Sequence, residues 1–222
     1  MATAHASSAS LRKPSSRYHH GDLRRALIQE AVRAIASDTV QRLTLREIGK
    51  RLGVSRTALY RHFPDKATLL AVVAREGFER FRQDLVDAWR TAEGTRTGLD
   101  RMGHAYVTFA IAHSAHYRVM FGDFRRLCAK DRELQEAGQA AFQTLLDALL
   151  TLQRAGTVRR DDPQLQGMFV WAVVHGIAML AIDGQFGPEP VSSTALEAQI
   201  QFVLNRLHTG IAATGGRAQV KP

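Results

Sequence analysis

The chain has 222 residues, 45% of them hydrophobic and 23% charged, which is enough for a sizeable core and too apolar for wholesale disorder. The net charge of +9 is unevenly spread: 13 Lys+Arg face 5 Asp+Glu up to Lys66, against 17 and 16 from Ala67 onward, so the first third is the part suited to a polyanion. One cysteine (Cys128) excludes an internal disulfide, the N-terminus lacks a secretory pattern, and the longest apolar run, residues 168–182, is short for a bilayer, so a soluble cytoplasmic protein with no membrane contact is expected.

Residues 1–17 are Ser/Ala-rich with scattered basic groups and read as a flexible basic arm. A first helix follows, with Asp22 as its cap and Leu23, Ala26, Leu27, Ala31, Ala34 and Ile35 on one face. Thr44 and Glu47 form a T-x-x-E capping box opening the short helix "LREIGKRL", which Gly53 ends. Ser55 caps "RTALYRHF", Pro64 stops it, and Asp65 caps a longer helix through Leu69, Val73, Phe78, Phe81 and Leu85. The stretch "TAEGTRTG" (91–98) is a turn-rich break. Beyond it, Leu99, Met102, Tyr106, Phe109 and His113 keep helical spacing, and "GDFRR" (122–126) begins a connector. Leu134 to Leu152 line another helix ending at Gly156. Asp162 and Pro163 open a helix apolar nearly all round, and Thr194 with Glu197 caps a last one carrying Leu196, Ile200, Val203, Leu207 and Ile211. No strand alternation appears; the expectation is an all-α protein of about nine helices with a polar tail at 212–222.

The pair 44–52 and 55–63, joined by a Gly-containing turn, has helix-turn-helix form. Leu59 and Phe63 face inward, whereas Arg56 and Tyr60, and Thr57 and Arg61, are four apart and share the other side. That stripe suits a major groove, since arginine can fork to guanine and threonine can touch a thymine methyl.

The run "TLREIGKRLGVSRTALYRHFPDKATLL" (44–70) resembles the DNA-binding domain of tetracycline-repressor-type (TetR) transcriptional regulators, and "YHHGDLRRALIQEA" (18–31) resembles their opening helix. "HYRVMFG" (116–122) and "WAVVHG" (171–176) resemble a ligand-domain subtype named for its Trp, His and Gly. The resemblance implies a DNA-binding domain at 18–66 and a larger ligand-binding and dimerisation domain at 67–211. It implies base-facing Arg46, Arg56, Thr57 and Arg61, and phosphate-holding Thr44, Tyr60, His62 and Lys66. It further implies a homodimer on a palindromic operator, acting on the nucleoid as a repressor and released by an unidentified small-molecule effector.

Tyr106, Phe109, His113, Phe142, Trp171 and His175 are candidates for the effector pocket, against the plainer reading of aromatics as core. A helix apolar on all sides must be covered on all sides, so the helices at 163–182 and 194–211 are expected to build a dimer seam through Phe169, Val173, Ile177, Leu196, Ile200, Val203 and Leu207. His104, His113, His116 and His175 raise a metal- or haem-sensing alternative, but no four-ligand set is spelled out and no metal or cofactor is expected. Catalytic motifs are absent, so an enzyme is not expected. A non-specific nucleoid-type binder is the other alternative.

Overall fold

The computed structural model describes residues 20–37, 39–122, 131–186 and 193–213. These form nine α-helices: α1 (His20–Ser37), α2 (Leu45–Leu52), α3 (Arg56–His62), α4 (Lys66–Arg90), α5 (Arg96–Ala112), α6 (Ser114–Phe121), α7 (Arg132–Arg154), α8 (Pro163–Ile182) and α9 (Ser193–Ile211). The expected arm at 1–17, most of the connector beginning at 122, Cys128 and most of the tail lie outside the described residues.

Side-chain caps set most of the boundaries. The Thr44, Ser55, Asp65, Thr95, Asp131 and Asp162 side chains each accept a backbone N–H three residues on. Asp65 is the tightest, at 2.7 Å from the Thr68 nitrogen, and the Thr68 backbone and hydroxyl hold its carboxyl below the usual carboxylate range. Gly53 takes the left-handed conformation (φ 65°) that ends α2 and turns the chain into α3.

Three expected boundaries shift. Helix α1 begins at His20, two residues before Asp22, so that residue lies within the first turn. His113 interrupts what periodicity presents as one helix, separating α5 from α6. Helix α9 begins at Ser193, one residue before Thr194, and the Glu197 carboxylate meets His104 Nε2 at 2.7 Å, across to α5.

Leu23, Leu27, Ile48, Leu59 and Phe63 bury the first three helices against one another. A Cβ on Gly49 would lie 2.8 Å from the Leu59 side chain, so α2 and α3 cross more closely there than a larger residue allows. Glu30, nearly buried, receives Arg33 at 2.9 Å and Arg51 at 3.3 Å, tying α1 to α2. The expected domain boundary at Lys66 falls on the first residue of α4, a continuous 25-residue helix about 37 Å long, so no linker separates the two parts. Leu69, Leu70 and Val73 seal its near end, and its far half packs on α5, α6 and α7.

The apolar segment is longer than residues 168–182: α8 has 20 residues and, by length and composition alone, could cross a membrane. It packs on α5, α7 and α9, burying Val170, Val174, Ile177 and Ala178, while Leu165, Met168, Phe169 and Leu180 stay exposed.

Phe63 is 1% exposed and ends α3 against the α1–α4 core. Phe63→Ala is expected to cost about 3–5 kcal/mol by chemical denaturation, as truncation of a fully enclosed Phe does.

Candidate nucleic-acid interface and internal cavity

The exposed side of α3 carries the stripe that its spacing implies. Arg56, Thr57, Tyr60 and Arg61 are all exposed, and so is Arg46 on α2. The Arg56 guanidinium lies 5.4 Å from the centre of the Tyr60 ring, so the two side chains are laid along each other. On the inner side, Arg24 of α1 sits 5.5 Å over Phe63. The stripe therefore rests on a short helix that caps and core hold rigidly, which is what groove recognition requires of its reading element.

The four phosphate candidates differ in how they are held. Thr44 is exposed, but its hydroxyl accepts from the Glu47 N–H at 3.2 Å and donates to the Glu47 carboxylate at 3.1 Å. The Thr44 hydroxyl is thus engaged in starting α2. Tyr60 is 39% exposed and open to solvent. His62 is half-buried, with Nε2 enclosed. Lys66 is also half-buried, and its ammonium donates to the Gln41 carbonyl at 3.0 Å, pinning the turn before α2 to the start of α4. Burial lowers the Lys66 pKa. Lys66 is thus a structural clamp as well as a cation facing outward, a double role that spacing does not reveal.

Beyond the middle of α4 lies a cavity of about 500 Å³. Of the six pocket candidates, Tyr106, Phe142 and Trp171 line it, and Phe109, His113 and His175 do not. Phe109 is buried against Phe81 and His113, at ring separations of 5.1 and 4.8 Å. His175 stands behind the wall, with Nδ1 2.7 Å from the Tyr117 hydroxyl and 3.1 Å from the Tyr106 hydroxyl. Tyr106 also accepts the Trp171 indole N–H at 3.0 Å and lies 2.9 Å from the Tyr117 hydroxyl. Burial drives both phenols far above the ordinary tyrosine range and lowers the His175 pKa, so all three groups are neutral at pH 7.

On the α7 side of the cavity, sequence reasoning named Phe142 and missed its neighbours. Gln135, Gly138, Gln139 and Phe142 sit at helical spacing along one face, but two glutamines and a glycine read as solvent-facing. It also missed Tyr117, despite its place in "HYRVMFG".

The seven seam candidates divide. Phe169 is exposed and Val173, Leu196 and Val203 are half-buried. Ile177, Ile200 and Leu207 are at most 6% exposed within the protomer, and Leu207 also lines the cavity. Further exposed apolar surface falls on Leu165, Met168, Leu180 and Phe202, and Leu180 and Phe202 line a groove with Ala172, Gly176 and Val203 between α8 and α9.

The histidines do not gather. His104 pairs with Glu197, His175 bonds the tyrosines, and the His113 and His116 rings lie 6.1 Å apart, edge to face. Among the described residues, no three His, Cys, Asp or Glu side chains form a metal-sized cluster.

A family model described as "Bacterial regulatory proteins, tetR family" matches residues 27–73, and one described as "Tetracyclin repressor-like, C-terminal domain" matches 99–203. The nucleoid occlusion factor SlmA of Marinobacter nauticus is 26% identical over 137 residues, covering 62% of this chain and 69% of that protein. An uncharacterized HTH-type transcriptional regulator of Mycobacterium tuberculosis is 25% identical over 184 residues, covering 81% and 90%. Among solved structures, a protein of unknown function from Rhodococcus sp. RHA1 superposes with a TM-score of 0.76 at 30% identity, covering 89% of this chain and all of that one. A TetR family transcription regulator from Marinobacter aquaeolei shares the fold at a TM-score of 0.66 and 19% identity, covering 86% and 96%.

His116, on α6 behind the cavity, has its pKa pulled down to about 4 by burial, with Arg80 and His113 acting in the same direction. The unfolded chain takes up this proton near pH 6.5, whereas the native state refuses it until about pH 4. Stability is therefore full above about pH 6.5 and is expected to fall as pH drops through that window. Unfolding midpoints of the wild type and His116→Gln across this range check it: the variant should show the shallower pH dependence, and equal slopes would clear His116.

Proposed function

The chain belongs to the TetR family of bacterial regulatory proteins, and on that premise we propose that it is a cytoplasmic repressor released from a palindromic operator by a small molecule. The observation that carries this reading is the pairing on one helix: α4 starts at Lys66, beside the exposed stripe of α3, and walls the cavity with Phe78 and Phe81 about 18 Å further along. A ligand that changes how α4 packs changes how the reading helix is held. Helix α6 packs on both α4 and α1, offering a second mechanical link between cavity and reading domain. Its role is regulatory rather than catalytic.

In this reading, residues 18–66 read DNA. Arg46, Arg56, Thr57 and Arg61 face bases, and Tyr60, His62, Lys66 and the α2 N-terminus at Thr44 meet the backbone. Residues 67–211 bind the effector and dimerise, with Trp171, His175 and Gly176 as marks of the Trp-His-Gly subtype. A second copy covers the α8–α9 face by a two-fold operation, which buries Phe169, Leu180 and Phe202 on both sides and sets two α3 helices toward successive major grooves. Phe202→Asp is expected to yield monomers by analytical ultracentrifugation; a dimer of unchanged stability would place the seam elsewhere.

Titration of palindromic and random duplexes at two salt concentrations tests the reading of DNA. A specific regulator prefers its site by orders of magnitude, whereas uniform, salt-abolished affinity would favour a non-specific nucleoid binder. Arg56→Ala is expected to relax preference at particular base pairs, by about 1–3 kcal/mol, while affinity for random duplex changes little. An unaltered base preference in that variant would remove Arg56 from the reading set.

A further inference from the structure

We propose that the cavity takes an uncharged, ring-bearing, largely apolar ligand with one hydrogen-bond-accepting oxygen, and that the Tyr106 hydroxyl receives that oxygen. This rests on the reading of the cavity as the effector site and narrows it to a chemical class.

Volume and wall chemistry set the first limits. About 500 Å³ is room for a small organic molecule. Aromatic rings reach it from five helices: Phe78 and Phe81 on α4, Tyr106 on α5, Phe121 on α6, Phe142 on α7 and Trp171 on α8. Rings lining a space from several directions favour flat, polarizable surfaces, through stacked and edge-on contacts. None of the described lining residues is acidic or basic. A carboxylate or ammonium entering this space would lose its water and gain no counter-charge, which is unfavourable unless the group gives up its charge. His175 and Tyr106 do not rescue an anion, since burial lowers the His175 pKa and holds the Tyr106 phenol protonated.

The polar groups set the rest. Gln135 and Gln139 are exposed on α7 and belong to the mouth. Within the wall, Tyr106 carries the sole hydroxyl among the described lining residues. Its oxygen accepts the Trp171 N–H at 3.0 Å. The Tyr117 hydroxyl donates to the same oxygen at 2.9 Å, so the Tyr106 oxygen is filled from two sides and its own proton has His175 Nδ1, at 3.1 Å, as its internal partner, while Nδ1 lies 2.7 Å from the Tyr117 hydroxyl. The shorter contact belongs to Tyr117, which does not line the cavity. The Tyr106 proton is thus held by the longer contact to Nδ1, and it can turn to an oxygen supplied from the cavity.

Three ligands of one size separate charge from hydrogen bonding: 2-acetonaphthone, 2-ethylnaphthalene and 2-naphthoate. Each is titrated into the full-length protein without DNA, following quenching of tryptophan fluorescence. The ketone is expected to bind at least about tenfold tighter than the carboxylate, and measurably tighter than the ethyl compound. Tyr106→Phe should abolish the ketone's advantage over the ethyl compound and leave the ethyl compound's affinity unchanged. Binding of 2-naphthoate equal to or tighter than that of the ketone overturns the proposal, as does an unchanged ketone-to-ethyl ratio in Tyr106→Phe. No binding by any of the three also overturns it. The wild-type comparison needs no variant, so it decides the charge question even if Tyr106→Phe folds poorly. Because DNA is absent, these outcomes are independent of the regulatory reading, which fails separately if the bound ketone leaves operator affinity unchanged.

Discussion

Helices α4 and α6, which both pack on α1 of the reading domain, approach each other closely at Gly77. A Cβ there would lie 2.6 Å from the Met120 sulfur and 3.2 Å from the His116 Cβ, so the crossing depends on the absence of a side chain. With α6 seated so closely, α4 must present a different surface at almost every position. Its first turns bury Leu69, Leu70 and Val73 against the reading domain, Gly77 meets α6, and Phe78, Phe81 and Leu85 wall the cavity. A single rigid helix with this division of labour transmits displacement rather than absorbing it, because close-packed interfaces have few intermediate arrangements.

The reading domain reaches rigidity with very little material. Helix α3 has seven residues, too few to be stable alone, so its conformation is imposed from outside. Ser55 caps one end, Leu59 and Phe63 anchor the inner face, and Gly49 lets α2 approach closely. The buried residues lie on one side, and Arg56, Thr57, Tyr60 and Arg61 are exposed on the other. The charge excess before Lys66 follows from the same division: the core takes the apolar residues, and the outward positions carry the cations.

Legibility in the sequence tracked how local the determining physics is. Caps and turn glycines act within four residues, so Thr44, Gly53, Ser55, Asp65 and Asp162 mark helix ends that the structure repeats. Burial depends on partners distant in sequence, and there the pattern was ambiguous. Helix α8 is apolar on every side, so periodicity alone does not separate Ile177, which faces the protomer's own core, from Phe169, which faces out. The same ambiguity covered Ile200 and Leu207 on α9. Gln135 and Gln139 failed in the opposite direction, as polar side chains at the rim of an apolar space look like an ordinary wet face. Lys66 shows a third case: its spacing fits a phosphate contact, and only the fold brings the Gln41 carbonyl within 3.0 Å.

Trp171, Tyr106, Tyr117 and His175 extend the consequences of the α4–α6 crossing to α5 and α8. Tyr106 and Tyr117 are buried, Trp171 and His175 half-buried, and each satisfies another, so displacing one strands a polar atom of its partner. Their rings pack as closely as their hydrogen bonds, with Tyr117 stacked 5.6 Å from His175 and Tyr106 edge-on to Phe81 at 4.9 Å. Tyr117 sits on α6, three residues before Met120 at the Gly77 crossing, so the position of the Tyr106 hydroxyl in the cavity wall and the seat of α6 on α4 are not independent. A molecule that draws one hydrogen bond out of this set acts on a cluster that must rearrange together. Tyr117 places that cluster on α6, the helix that packs against α1 of the reading domain.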